Sequence, residues 1–413
     1  MIVVLSDIDT PRLRYVLDFL LEGYTYCLRQ DQTDFPIESL VIDYGMGMSN
    51  AQVKIPRMDF SWWRDGERDI VFFRKKVEQI KSFGHFDLFG YAFYLLSRCD
   101  EHFTEYFDEW GRFQSGGCIQ KQWGEVERAY LDEWRTHLIS LLGLEDKRIA
   151  QHELTIDIDS PFAFKYKSFL FHMGGLVNDV LRGRWDWVKS RVQVMLGHSD
   201  PYDTYATLNA MSQEHHINLR YFVLCAERSA LDRGMSVHQE KGWKHLMSRL
   251  AAQEWGWHPS FAGHANKLKH RAELERLQQR SSVKIQSVRF HYLKENLFQM
   301  SPRLLSWGIV ENYSMGFAET VGYRAGTSRP FHWYDWQSDA VSELKLVPFW
   351  GMDVTLKKYL RLTPQEALEK VAQASQYASD IHADWRMIWH NESVNDWSEW
   401  KGWGVVLKKF IQR

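Results

Sequence analysis

Two aspartates stand one residue apart in the stretch LTIDIDSP, Asp157 and Asp159, at the end of a strand-like run. Like charges raise each other's pKa, and each carboxylate resists leaving water, so the pairing asks for a cation between or beside them. Further along, His258 ends the run EWGWHPS, Arg289 and His291 fall in VKIQSVRFHYL, and His390 ends DWRMIWHNES. A single D-x-D is more often a turn or a cap, and a single histidine more often structural. Carboxylates, imidazoles and a guanidinium recurring at successive strand ends are much less expected by chance. They are the groups from which acid–base and metal-assisted hydrolysis are built.

The elements that must position them form two groups. From Leu154 onward, strand-like runs (LTIDID, INLRYFVLCA, EWGWHPS, VKIQSVRFHYL, IVENYSMGF, LKLVPFWGMD, DWRMIWHNES) alternate with helix-like ones. The stretch TPQEALEKVAQASQYA opens as a capping box, with Thr363 as N-cap, Pro364 at N1 and Glu366 at N3. About seven β–α units predict a parallel sheet, closed into a barrel or doubly wound, with chemistry at the C-terminal strand ends. Residues 1–148 mix short strands such as SLVIDYG with helices such as DLFGYAFYLLSRCDEH and carry no catalytic constellation. Their SDIDT is read as helix entry, Thr10 capping and Pro11 at N1. The charged run GLEDKRIAQ divides this smaller α/β domain from a second one, residues 149–413.

Composition bounds the rest. The chain has 413 residues, 45% hydrophobic and 25% charged, a length that suits two domains. A net charge of −2 offers nothing globally to nucleic acid or to an anionic membrane surface. No run approaches the ~18 apolar residues of a membrane span. MIVVLSDIDT lacks the basic start and long apolar core of a signal peptide. Cys27, Cys99, Cys118 and Cys225 are scattered and are expected as reduced thiols, in a cytoplasmic protein. Most of the 19 tryptophans are expected in the core.

The order of these motifs resembles that of the NodB-type polysaccharide deacetylases, carbohydrate esterase family 4, over residues 154–413. More narrowly, the chain is similar to a bacterial subgroup of that family with an extra N-terminal domain, through FYLLSR, DEWGRF, HPSF, RFHYL, MGFAETVGYRAGTSRPF and WHNES. The resemblance implies a distorted (β/α)7-type barrel and a metal-dependent hydrolase that removes acetyl groups from an acetylated bacterial glycan or glycan precursor. It implies Asp157 as base, Arg289 as the residue holding that base, Asp159 and His258 as ligands of a divalent metal, zinc in the first place, and His390 as general acid. His291, Tyr292 and Trp389 beside these motifs, and Arg324 in the loop GYRAGTSRPF, are the expected substrate contacts, though the loop also reads as one pinned structurally by its arginine. Asp353, in PFWGMD, is read as the N-cap of the next helix.

The chain departs from the family pattern at two places. Ala262 stands where a second metal histidine belongs, and His291 stands where the third motif has proline. The missing ligand is then His291, His264 or Asp157 itself, or no metal binds tightly. The last case leads to a second expectation, a glycan-binding or scaffolding protein that keeps the barrel without the chemistry.

Overall fold

The computed structural model describes residues 1–31, 38–48, 50–58, 86–102, 106–264 and 266–412. Near the N-terminus, β1 (Ile2–Leu5), β2 (Tyr26–Arg29), β3 (Leu40–Tyr44) and β4 (Val53–Ile55) form a parallel sheet in the order β2-β1-β3-β4. The helix Pro11–Leu20 starts where its sequence says, with the Thr10 hydroxyl accepting from Leu13 N–H and proline at N1. Its Leu13, Val16, Leu17 and Leu20 lie on one face, packed towards the wholly buried helix Leu88–Leu96.

The larger sheet has nine strands: β5 (His152–Ile158), β6 (Asn218–Val223), β7 (Glu254–Trp257), β8 (Ser287–Val288), β9 (Glu311–Met315), β10 (Phe331–Asp335), β11 (Ala340–Pro348), β12 (Gly351–Met352) and β13 (Trp385–His390). Their order is β10-β11-β9-β8-β7-β6-β5-β13-β12, and all pairs are parallel except β10–β11. Helices follow β5, β6, β7, β8 and β12, so the α/β class expected from the alternation stands. The sheet is a curled half-barrel whose edge strands, β10 and β12, do not pair with each other among the described residues. One contact spans the concave side of the curl. β8 lies three strands from β5, which in a flat sheet is about 14 Å. Arg289, just past β8, nevertheless donates to the Thr155 hydroxyl of β5 at 2.7 Å.

Two local expectations are corrected here. VKIQSVRFHYL yields only two strand residues, because the chain turns into the site directly after Val288. The aromatic cluster Phe331–Trp336, left out of the strand-like runs above, is not loop. Most of it is β10, an antiparallel partner for β11 that buries Phe331, Trp333 and Tyr334. The capping box at Thr363 and Glu366 forms as read and opens the helix Pro364–Asp380. Trp243, Trp257, Trp350, Trp385, Trp389 and Trp403 are among the largest fully buried side chains.

The two regions are stitched together between residues 321 and 327. Tyr323 N–H donates to the Val126 carbonyl at 2.9 Å, and Gln120 Nε2 donates to the Tyr323 carbonyl at 2.7 Å. Gly322 has φ +131°, and a Cβ there would meet the Val126 carbonyl oxygen at 2.4 Å, so no other residue fits. Arg324 Nε donates to Glu101 at 2.9 Å, with both side chains buried.

Glu295 is buried close to this pair, and its carboxylate accepts from Asn312 Nδ2. Burial pushes its pKa up to about 7, against the pull of Arg324. The folded state therefore holds this proton more tightly than the unfolded chain, and stability falls as pH rises from about 4.5 to 7. Glu295→Gln removes that cost. It is expected to be more stable than the parent by up to about 3 kcal/mol at pH 8 and to match it near pH 4. Urea unfolding at the two pH values checks this; a gain that does not vary with pH refutes it.

Candidate active site

Strand alternation points Thr155 and Asp157 to one face of β5 and Leu154, Ile156 and Ile158 to the other, where they join the core. Asp159 continues the polar face one step beyond the strand end. Arg289, wholly buried, spans this face: Nη1 lies 3.3 Å from Asp157 Oδ1 while Nη2 binds Thr155. Its guanidinium stacks 4.7 Å from the centre of the Phe222 ring. Burial lowers the pKa of this arginine and Asp157 opposes the shift, so the two charges depend on each other.

His258 follows β7 and is buried. Its Nδ1 donates to the Arg289 carbonyl at 2.6 Å, since a carbonyl can only accept, which leaves Nε2 facing the site. Nε2 lies 3.2 Å from Asp159 Oδ1, and both atoms are buried without a hydrogen-bond partner. Two acceptors facing each other in this way call for a shared cation. His291 supplies a third donor, with Nε2 at 3.3 Å from Asp159 Oδ2. Its other nitrogen, Nδ1, meets Asp232 at 2.9 Å. Asp232 is itself fixed by backbone N–H groups of Phe261 and Ala262 and by the Ser229 hydroxyl. A carboxylate behind a histidine is the arrangement that orients a metal-ligating imidazole.

The ligand atoms of Asp159, His258 and His291 all lie within 4.8 Å of one another. Two donors about 2.1 Å from a tetrahedral zinc are about 3.4 Å apart; Asp159 meets His258 and His291 at such spacings through its two oxygens, and three donors gathered within 4.8 Å suit a divalent cation. The charges match. Burial would raise the Asp159 pKa, but the charge of His291 foremost holds its carboxyl well below the usual range. Burial would likewise lower His291, yet Asp159 and Asp232 outweigh it and bring the ring to about 9.

Across the cleft, His390 ends β13. Its Nδ1 lies 2.8 Å from Asp353, whose other oxygen accepts from the His390 backbone N–H at 2.9 Å. The Ser393 hydroxyl donates to the same carboxylate. Nε2 faces inward, 4.0 Å from Asp159 Oδ2. Burial alone would lower the His390 pKa; Asp353 reverses this and raises it to about 10. The cleft has a volume of about 350 Å³, and Tyr292, Tyr359, Glu392 and Arg112 contribute to its walls. Tyr292 and Leu293 take left-handed backbone angles, φ 59° and 54°. A non-glycine residue held there costs on the order of 1 kcal/mol or more, strain that sits where the chain presents His291.

Asp157, Asp159, His258, Arg289, His291, Tyr292 and His390 thus come together, all but Arg289 lining the cleft itself. Arg324 and Trp389 do not join them. Arg324 is buried against Glu101, and Trp389 is wholly buried in the core. His264 is not in the donor group, and Ala262 serves through its backbone, donating to Asp232. Asp353 does not cap the next helix: its carboxylate accepts only from the adjacent Val354 N–H on that side, and it holds His390 instead. Asp232 and Arg112 went unread: Asp232 stands in no periodic run or motif, and Arg112, though within DEWGRF, lies far in sequence from the other cleft residues. Arg112, from the N-terminal region, reaches the Tyr292 carbonyl at 3.3 Å and the Tyr359 hydroxyl at 3.1 Å.

The site is thus a polar cleft at the strand ends of a curled, mostly parallel sheet. A model of a family of unknown function, DUF7033, matches residues 1–146. Among solved structures, the chain is similar to one described as a "putative polysaccharide deacetylase from Mycobacterium smegmatis", at 16% identity and a TM-score of 0.39, over 65% of this chain and 85% of that one. At this similarity no residue role is transferred from it. Nothing among the curated proteins matches the chain. Among the described residues, no helix is long and apolar enough to cross a membrane.

Proposed function

We propose that this protein is a metal-dependent hydrolase that removes acetyl groups from an acetylated glycan or glycan precursor. The observation that carries the reading is the pair of buried, partnerless acceptors, Asp159 Oδ1 and His258 Nε2, joined by the carboxylate-backed His291. Asp159, His258 and His291 are the proposed ligands, with His291 taking the place left open at Ala262. A divalent cation held there, zinc by preference for this donor set, polarises the acyl oxygen and acidifies a water.

The other steps belong to the chain's own side chains. Asp157 takes the proton of the attacking water; Arg289 holds its carboxylate in place. His390, protonated at neutral pH through Asp353, gives its Nε2 proton to the departing nitrogen or oxygen. The Tyr292 side of the cleft and the Arg112–Tyr359 contact form the wall against which a sugar would lie. His291 in reach of Asp159 supports a complete ligand set in spite of Ala262, and so favours this reading over a glycan-binding scaffold.

Asp157→Asn keeps the shape and removes the base. It is expected to lower acetate release from N-acetylglucosamine oligomers by about 10³-fold while metal content stays near that of the parent. Full activity in this variant would end the assignment.

A further inference from the structure

We propose that the paired helices Phe169–Leu181 and Trp185–Met195 seat the protein on the surface of an anionic lipid bilayer. The proposal stands apart from the hydrolase reading and uses none of its residues. The first helix is turned inside out. Phe169, Leu170, Met173, Val177, Val180 and Leu181 are all exposed, Leu170 at 81% and Leu181 at 80%, and Asp179 is its buried residue. At 3.6 residues per turn those six side chains fall within an arc of about 120°. A helix of a solvated domain shows the reverse, with its apolar stripe on the core and its charges outward.

The second helix repeats the pattern. Trp185, Val192 and Met195 are exposed along one side, with Leu196 at 75% just beyond its end. Its Arg191 turns inward to Asp179 at 2.8 Å, joined there by Arg184, so the polar contacts of the hairpin are internal. If each of these ten apolar side chains shows about 100 Å², the face approaches roughly 1,000 Å², well above the patch on an ordinary monomer.

Charge and shape select the occupant. Arg182 and Lys189 are exposed beside the stripe, and Lys167 lies half-buried at its start, while Asp186 is the exposed acid of the hairpin. The acids Asp179 and Asp200 are turned inward, Asp200 accepting backbone N–H groups of Ala163, Phe164, Lys165 and Tyr202. The outward face is therefore apolar with a cationic border, although the whole chain carries a net charge of −2. Side chains exposed by three quarters or more project beyond their neighbours. A bilayer interface accommodates such a convex row without a matching groove, and anionic headgroups meet the border. The hairpin leaves the C-terminal end of β5, the end that carries the cleft, and Trp187 Nε1 ties it to Ser398 at 2.8 Å.

The test is co-sedimentation of the full chain with vesicles of phosphatidylcholine alone, or with about a third phosphatidylglycerol. Binding is expected on the anionic vesicles, at least about tenfold stronger than on neutral ones and weakened by salt. Leu170→Ser/Leu181→Ser/Trp185→Ser, and separately Arg182→Glu/Lys189→Glu, are expected to lower it by about tenfold or more at an unchanged unfolding midpoint. The proposal is overturned by parent protein that ignores anionic vesicles, or by variants that bind as the parent does. It is equally overturned if the parent ignores vesicles and dimerises in sedimentation velocity through this face, which makes a second copy the occupant.

Discussion

His291→Ala is expected to empty the metal site: bound zinc falls from one per chain to a small fraction, and acetate release falls by about 10³-fold or more. The residue contributes one of three donors, and the loss leaves Asp159 and His258 with too few ligands for a stable tetrahedral centre. Asp232→Asn is the gentler version. It keeps the volume and one acceptor but removes the charge behind the imidazole, and should weaken metal affinity by about 10–100-fold. His264→Ala, outside the donor group, should do neither. Elemental analysis after chelation and reloading, with calorimetric titration of zinc, separates the three. Unchanged stoichiometry in His291→Ala would show that another residue completes the site.

Asp353→Asn is expected to move the alkaline limb of the pH–activity profile downward by several units. A general acid works only while protonated, so activity is lost as pH rises through its pKa. In the parent protein Asp353 outweighs burial and holds His390 at about 10. Without that carboxylate burial prevails, and the ring falls to about 6.5 or lower. At pH 8 the variant is then expected to lose about 30-fold or more in kcat/KM, while near pH 5.5 it retains most of its activity. A cation in the site lowers the limb in both proteins and leaves the sign of the difference unchanged. Equal profiles for the two proteins would remove His390 from the role of acid.

Most of the cleft was legible because its groups sit at strand ends, where local pattern announces them. Asp157, Asp159, His258 and His390 each close or follow an apolar run, and strand register alone carries them to one end of one sheet. What stayed hidden is set by contacts across long stretches of chain. Asp232 lies in an irregular segment, and its meaning comes from His291, far along the sequence. Asp353 looked like a cap because capping is a local event and its bond to His390 is not. Arg324 looked like a substrate contact because a glycine-bearing loop gives no hint of Glu101, which buries it. The half-barrel's antiparallel edge was missed for a related reason: FHWYD is rich in aromatics on both faces, so no period of two stands out.

The seam between the N-terminal region and the sheet also bears on descent. Arg324 depends on Glu101 for its counter-charge, Gly322 is moulded to the Val126 carbonyl, and Arg112 braces Tyr292 and Tyr359. A crossover that swapped the first 146 or so residues for an unrelated partner would strand a buried guanidinium, a loss of about 3–5 kcal/mol. It would also strip one wall of the cleft in the same event. The halves are therefore expected to have been inherited as one piece, with changes on one side of the seam matched by changes on the other.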